Sequence, residues 1–412
     1  MKIVHLTGKD YFGAGRAAYR LHKGLLKQGA ESLMLVGDKH TNDDTVLNVQ
    51  NSLLHKFFKK VLIKLEKHWL NISGERIKSM FSSGIHGFSL AKKVNALTPD
   101  IIHIHWINRG YMNFNEIIKM KAPVVITMHD VWYFTGGCHI TNGCSAFTTM
   151  CGKCPQLNSK ESDDISTHIQ SLKKNIYRKK EILFIAPSHW MKSEAERSSL
   201  LKDQYVHHLS NGVESTIFSY QASARARFDF SPDKKLVLFA AVDATSDDNK
   251  GFKLLNEAIH FLDKDHFELV VIGGKKEDAY LINGIKIHNV GYIGDDKLLI
   301  DYLSASDVVV VPSKHENLSN LIMESLSCSK PVVAFNIGGN SDMITHKKNG
   351  YLAKPFDSED LANGIRWCVN DEDRNAQLSA NARQIIEVQY SIDRVSKSHL
   401  DLYAKIIEGV ND

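Results

Sequence analysis

The sequence predicts an α/β protein made of two doubly wound domains, each a mostly parallel sheet with helices on its faces. Strand-like and helix-like segments alternate through both halves of the chain, which favours open parallel sheets over one closed barrel. The run Asp307-Val308-Val309-Val310-Val311-Pro312 has no polar alternation, as expected of a strand buried on both faces. The chain also opens with a strand, a glycine turn and an amphipathic helix, the repeating unit of such folds. Its 412 residues suit two or three domains.

With 43% hydrophobic and 24% charged residues, the composition is that of an ordinary globular protein. A net charge of +4 is compatible with anionic substrates or membrane surfaces and falls short of a nucleic-acid-binding signature. No apolar run reaches the ~18 residues of a spanning helix. The start, Met1-Lys-Ile-Val-His-Leu, is too short and polar for a signal peptide, so a cytoplasmic protein is expected.

Taken in order, Lys2 to Leu6 reads as the first strand, and the turn Thr7 to Gly15 leads into a helix burying Ala17, Ala18, Leu21, Leu25 and Leu26. Gly13-Ala14-Gly15-Arg16 puts pliable backbone and a cation at that helix's N-terminus, which suits an anion; a plain turn is the competing reading. Leu54, Phe57, Phe58, Val61, Leu62, Leu65 and Trp69 keep helical spacing, with Lys56, Lys59, Lys60, Lys64 and Lys67 mostly opposite. Such a helix packs on a core or lies on a membrane surface. Asp100 to His105 is a strand ending in His103, His105 and Trp106, and Pro123 to Met128 is another, running into His129-Asp130-Val131-Trp132 and an aromatic, glycine-containing loop. Histidines at strand ends are placed for sugar contact or proton handling, or they are structural.

Four of the six cysteines follow within 136–157 at C-x5-C-x6-C-x2-C spacing: Cys138, Cys144, Cys151 and Cys154. Four thiolates complete a closed, structural zinc shell, and His139 could replace one of them; free thiols or redox bridges are the alternative. Cys328 and Cys368 sit in apolar helical contexts and are expected to be buried spectators.

A helix near His168 to Lys179, a strand Ile182 to Ala186, a helix from Ser188 and the segment Tyr205 to Leu209 finish the first half. Domain boundaries are expected at 1–210, 211–390 and a C-terminal helix at 391–412 that packs back on the first domain. The polar stretch Tyr220 to Lys235 reads as passage into the second domain. There Lys235 to Ala241, Phe267 to Ile272 and Ile285 to Asn289 read as strands, and Asp295 to Ala305 as a helix. The loop from Thr245 to Lys250-Gly251 puts a cation beside a glycine at a helix start, a common diphosphate contact or simply an exposed lysine. In Pro312 to Gly339, Glu316 lies in a loop and Glu324 falls two turns into a helix starting near Asn317. Both carboxylates then point toward the carboxyl end of one sheet, where ligands of such sheets bind.

Together these residues resemble the family-4 retaining glycosyltransferases of the GT-B arrangement, in which two Rossmann-like domains face each other across a cleft. The resemblance rests on Glu316-x7-Glu324 within its Pro-Ser and Lys-Pro-Val-Val-Ala surroundings, on Asn211-Gly212-Val213, on Lys250-Gly251 and on His129-Asp130. Thr127 to Leu157 is similar to a branch that builds bacterial exopolysaccharide or O-antigen, including colanic-acid-type enzymes.

The resemblance implies a hexosyl- or N-acetylhexosaminyl-transferase using a UDP- or GDP-sugar and a lipid-linked glycan acceptor. It implies Glu324 on the donor ribose and Glu316 on the sugar. Lys250 and the amides of Leu318, Ser319 and Asn320 would hold the diphosphate, with Asn317 beside them. Gly15, with Arg16 beside it, would approach from the first domain, and His129 would lie by the sugar. His105, Trp106, Asp130 and Trp132 form the expected acceptor side.

Two departures stand out: Ala241-Val242-Asp243 replaces the family's Gly-Arg, and Asn317-Leu318-Ser319 replaces its Gly-Phe-Gly. No Asp-x-Asp motif lies in a suitable loop, so no catalytic metal is expected. On its membrane reading the basic helix at 54–69 contacts the cytoplasmic face of the inner membrane, with core packing the alternative, and no nucleic-acid partner is expected. A nucleotide-sugar epimerase on the same plan and a silent glycan- or nucleotide-binding protein are the competing functions.

Overall fold

The computed structural model describes residues 1–71, 80–244 and 246–409. Thr245 of the loop expected before Lys250, residues 72–79 of the first domain and residues 410–412 of the C-terminal segment lie outside the described residues. The chain forms two compact units, Met1–Asn211 with Val395–Asp412, and Gly212–Arg394.

The first unit is built on seven strands: β1 (Lys2–Lys9), β2 (Glu31–Asp38), β3 (Val46–Asn48), β4 (Ile101–Ile104), β5 (Val124–Thr127), β6 (Ile182–Ala186) and β7 (Val206–His208). All pair in parallel, in the order β3-β2-β1-β4-β5-β6-β7. After β1 the chain runs outward through β2 and β3, then returns to start β4 on the other side. The β1/β4 gap is therefore the topological switch point, where open α/β sheets bind ligands. Around the sheet lie α1 (Phe12–Lys27), α2 (Leu53–Asn71), α3 (Ala91–Ala96), α4 (Ile165–Lys179) and α5 (His189–Arg197).

The second unit holds β8 (Lys235–Ala240), β9 (Phe267–Ile272), β10 (Tyr280–Ile282), β11 (Ile285–Gly291), β12 (Val308–Val311), β13 (Val332–Phe335) and β14 (Gly350–Ala353). Its order is β10-β11-β9-β8-β12-β13-β14. Only β10 runs antiparallel to its neighbour, and the switch point falls between β8 and β12. The helices are α6 (Phe252–Ile259), α7 (Asp296–Ala305), α8 (Asn320–Ser327), α9 (Asn340–Met343), α10 (Ser358–Val369), α11 (Glu372–Ile385) and α12 (Ile392–Glu408). From Val395 onward α12 belongs to the first unit. Val395, Leu402 and Tyr403 pack there with Ile3, Leu21, Leu25, Ile101, Val125 and Ile185.

The sequence reading does not pick out β2, β3 and β10. β3 and β10 are only three residues long, and β2 is a continuous apolar run that periodicity does not separate from a buried helix segment. Two boundaries also move. Helix α1 begins at Phe12, so Gly13, Gly15 and Arg16 lie within its first turns rather than in a preceding loop. Helix α8 begins at Asn320 rather than near Asn317, which makes Glu324 its fifth residue, about one turn in. The delay has a cause: Leu318 is drawn into the second unit's core, and Ser319, in extended conformation, takes the N-cap position.

Candidate active site

In the second unit, Lys250 and Glu316 meet at the switch point. Lys250 ends a short 3-10 turn (Asp248–Lys250) after β8, and Glu316 lies in the loop after β12. Their side chains form an ion pair of 2.8 Å. The Glu316 carboxylate raises the lysine's pKa against the opposing effect of burial, so the ammonium is held charged. Both loops are locked together: the Lys314 amide donates to the Asn249 carbonyl at 2.8 Å, and the Asn249 side chain donates to the His315 carbonyl at 3.3 Å. Lys314 also pairs with Asp248 at 2.7 Å.

Glycine is required at two places in this frame. Gly251 adopts φ 73°, and a Cβ there would come within 1.9 Å of the Pro312 carbonyl oxygen. Gly338, in the turn after β13, has φ 51° and would meet the Glu316 carbonyl oxygen at 1.8 Å. The loop after β12 is thus held from both sides, at Pro312 by Gly251 and at Glu316 by Gly338, through close backbone contacts that any side chain would block.

The remaining donor-side candidates divide. Glu324 is only 4% exposed, on the buried face of α8. Leu318 is a core residue and Ser319 is buried, while Asn317 and Asn320 are half-buried. For Gly15 the structure supplies a packing reason, because a Cβ would come within 2.5 Å of the Lys9 carbonyl oxygen where α1 crosses the end of β1. Arg16 is half-buried beside it.

In the first unit the histidines form a chain. His129 Nε2 lies 3.0 Å from His105 Nδ1, and His105 Nε2 lies 3.0 Å from His5 Nδ1. His103 bonds Thr127 at 2.7 Å and Tyr403 of α12 at 2.6 Å. Burial, with neighbouring imidazoles adding, pushes His5, His103 and His105 well below the usual histidine range. Burial likewise takes His129 down to about 4 despite the opposing charge of Asp130. The row is therefore neutral at physiological pH, and a neutral imidazole presents one donor and one acceptor. Only His129 at its end is half-exposed.

Asp130 is ionised in spite of burial. His139 at 2.7 Å, the Trp132 amide at 2.9 Å and the Trp106 indole at 3.0 Å outweigh the desolvation and hold its pKa down. Trp132 is fully buried, with its indole donating to the Ser82 carbonyl at 2.8 Å and its ring edge-on to Phe114 and Tyr133, so it is a packing residue. His105 is buried as well and stands behind His129 in the row.

The four cysteines line a single cavity of about 20 Å³ with Phe81, Thr135 and Phe147. Burial pushes the Cys138 thiol up to about 12 and the Cys151 thiol to about 11, and raises Cys154. His139 does not join them, because its two ring nitrogens bond Asp130 and Ser82. Among the described residues, the ligand atoms lying within 4.8 Å of one another are those of His5, His103 and His105. Cys328 and Cys368 are fully buried elsewhere.

Lys173 and Tyr403 enter the functional regions without having been read from sequence. His5 could have been found: a histidine inside the apolar run Ile3-Val4-His5-Leu6 has to be buried with its strand.

Residues 221–385 match the family described as glycosyl transferases group 1. The chain is 24% identical over 331 residues to the Escherichia coli protein named for colanic acid biosynthesis, glycosyl transferase WcaC, covering 78% of this chain and 80% of that one. It is 28% identical over 167 residues to the N,N'-diacetylbacillosaminyl-diphospho-undecaprenol α-1,3-N-acetylgalactosaminyltransferase of Campylobacter jejuni, covering 39% and 43%. Among solved structures, sucrose-phosphate synthase from Thermosynechococcus elongatus superposes with a TM-score of 0.73 at 18% identity, over 99% of this chain and 100% of that one. HepE of Anabaena, solved with UDP-glucose, gives 0.63 at 14% identity over 98% and 100%. The fold is that of the GT-B glycosyltransferases, with two Rossmann-like parallel sheets.

Proposed function

We propose, from the premise that the second unit is a group 1 glycosyltransferase domain, that the chain transfers a hexosyl or N-acetylhexosaminyl group from a UDP- or GDP-sugar to a hydroxyl of a lipid-linked glycan. The product belongs to bacterial surface polysaccharide, and the anomeric configuration is retained. The observation that carries the reading is the locked Lys250–Glu316 pair at the switch point of the matched unit. An ammonium held charged there stabilises the negative charge that grows on a leaving diphosphate. Glu316 accepts hydrogen bonds from sugar hydroxyls, and Glu324 from the ribose. In the first unit His129, neutral at the end of its row, offers one donor and one acceptor for a hydroxyl, with Trp106 and Asp130 beside it as acceptor-side candidates. Leaving-group charge is met by Lys250 and backbone amides, without a catalytic metal.

A nucleotide diphosphate sugar as donor is supported by HepE, solved with UDP-glucose. The undecaprenol-linked substrate in the name of the Campylobacter relative supports a lipid-linked acceptor. The test is nucleotide release from UDP- and GDP-sugars, with and without undecaprenol-linked acceptors, in the presence of EDTA. Release that requires an acceptor and persists in EDTA is expected. Donor turnover without acceptor would point to an epimerase, and donor binding without release to a silent binding protein. Release only with added magnesium or manganese would overturn the metal-free mechanism, and an inverted product anomer by NMR would overturn retention.

The same reading places the enzyme against the cytoplasmic face of the inner membrane through α2. Leu53, Leu54, Phe57 and Phe58 are 85%, 70%, 61% and 53% exposed, an apolar stripe on a helix that also carries Lys56, Lys59, Lys60, Lys64 and Lys67. That pairing suits an anionic lipid surface. No helix among the described residues is long and apolar enough to cross a membrane. Co-flotation with vesicles containing phosphatidylglycerol, and not with neutral vesicles, is expected. Loss of flotation in F57E/F58E is expected too, and equal flotation of that variant would sink the proposal.

A further inference from the structure

The parallel sheet of the first unit lays down the histidine row. β1 and β4 pair with His5 opposite His103, and His105, two residues further on, returns to the same face. β5 pairs on the other side of β4 and carries His129 just beyond its end. The rings then meet nitrogen to nitrogen, His5 Nδ1 to His105 Nε2 and His105 Nδ1 to His129 Nε2, both at 3.0 Å.

A hydrogen bond between neutral imidazoles needs one N–H and one lone pair, and each ring carries one of each. Three rings joined in this way have only two arrangements. Either every proton sits on Nδ1, with the N–H bonds running from His5 toward His129, or every proton sits on Nε2 and they run back. A further proton would place a cation among fully buried rings, which burial opposes.

Two observations choose between the arrangements. His5 Nε2 is buried and has no hydrogen-bond partner among the described residues. Protons on Nε2 would strand an N–H there, whereas protons on Nδ1 leave only a lone pair, and an orphaned N–H is the rarer of the two in protein interiors. At the opposite end stands the Asp130 carboxylate, which accepts from the Trp132 amide at 2.9 Å and the Trp106 indole at 3.0 Å. Its charge acts on the His129 ring. With protons on Nδ1, every N–H of the row is directed toward that end, and aligned bonds polarise one another.

His103 sets no direction. Its nitrogens meet the hydroxyls of Thr127 and Tyr403, each of which can turn to donate or to accept.

We propose that the row fixes the polarity of His129: His5 and His105 are positioning residues that hold it as the Nδ1–H tautomer, so that it meets a carbohydrate oxygen as a hydrogen-bond donor and not as a base. No proton moves along the row; its order decides which atom of His129 carries one. The carbohydrate role rests on the proposed transfer reaction, and the proton arrangement does not.

Long-range proton–nitrogen NMR correlation of the full chain with isotope-labelled histidine reads the tautomers directly, and H129N identifies the His129 signals by removing them. In the ligand-free wild type, His129 should show the Nδ1–H pattern, which histidine in water disfavours. H105L should return His129 to the ordinary mixture and lower turnover about 10-fold, the worth of one oriented hydrogen bond. H105N places an amide donor where the imidazole Nδ1 stood and should restore both. An Nε2–H pattern for His129 in the wild type would overturn the proposed polarity, even where H105L fails to fold. Equal loss of turnover in H105L and H105N would reduce the row to packing. Absence of any sugar transfer would overturn the role at a carbohydrate, while the spectra still decide the proton arrangement.

Discussion

Replacing Lys250 by methionine is expected to lower the turnover number for sugar transfer by about 10²–10³-fold, the usual cost of removing one preorganised charge-stabilising donor. The size of the effect follows from how little freedom the ammonium has. Gly251, in the left-handed region against the Pro312 carbonyl, fixes the backbone beside it, and Glu316 holds the side chain at 2.8 Å. Charge placed before the reaction begins needs no reorganisation when the diphosphate departs. The side chain is one-third exposed, so the fold should survive, with an unchanged circular dichroism spectrum. E324A should behave differently. In the ribose role proposed for it, Glu324 would serve donor and transition state alike, so its loss should weaken nucleotide binding more than it slows turnover. Steady-state kinetics with calorimetric nucleotide affinities separate the two. Turnover of K250M within about threefold of wild type would remove the lysine from the mechanism.

Acid should unfold the first unit earlier than its composition suggests. Burial holds His129 and His399 at about 4, and His5, His103 and His105 well below the usual range. The unfolded chain titrates these residues near 6.5. Between about 6.5 and 4 the unfolded state therefore binds protons that the folded state refuses, so stability is fully present above 6.5 and is lost as pH falls. Each histidine so withheld costs about 1.4 kcal/mol per pH unit. Two of them acting between pH 6.5 and 5 remove about 4 kcal/mol, a large part of a typical 5–15 kcal/mol. The melting temperature should fall by about 10 °C or more between pH 7 and pH 5. A flat melting profile over that interval would mean that the imidazoles are reached by water or already charged.

What could be read before folding, and what could not, separates by range. The valines of β12 and the Lys250-Gly251 pair carry their meaning in a few adjacent residues, and they lie where an open parallel sheet puts them. The start of α8 was missed because Leu318 goes to the core and Ser319, extended, takes the N-cap, which delays the helix to Asn320. Trp132 looked like a ligand contact because it follows a histidine at a strand end. Its burial depends on Ser82, Phe114 and Lys173, which sequence spacing does not bring near it. The histidine row is the clearest case. His5 and His105 are 100 residues apart and His103 and Tyr403 are 300 apart, so only the assembled sheet and the last helix align them.

That last helix has a consequence for how the protein can be divided. Val395, Leu402 and Tyr403 complete a cluster begun by Ile3 and Leu21, so the second unit is, in covalent terms, an insertion into the first. A fragment ending at Asn211 lacks part of its own interior and leaves His103 without its phenol. Exchange of the second unit between relatives, by recombination or by design, therefore needs two junctions that close together. The passages lie side by side at a bridge, with the Val213 amide donating to the Tyr390 carbonyl and the Ile392 amide to the Val213 carbonyl, both at 2.9 Å. The natural seam for grafting a different second unit is that paired crossing rather than either peptide bond alone.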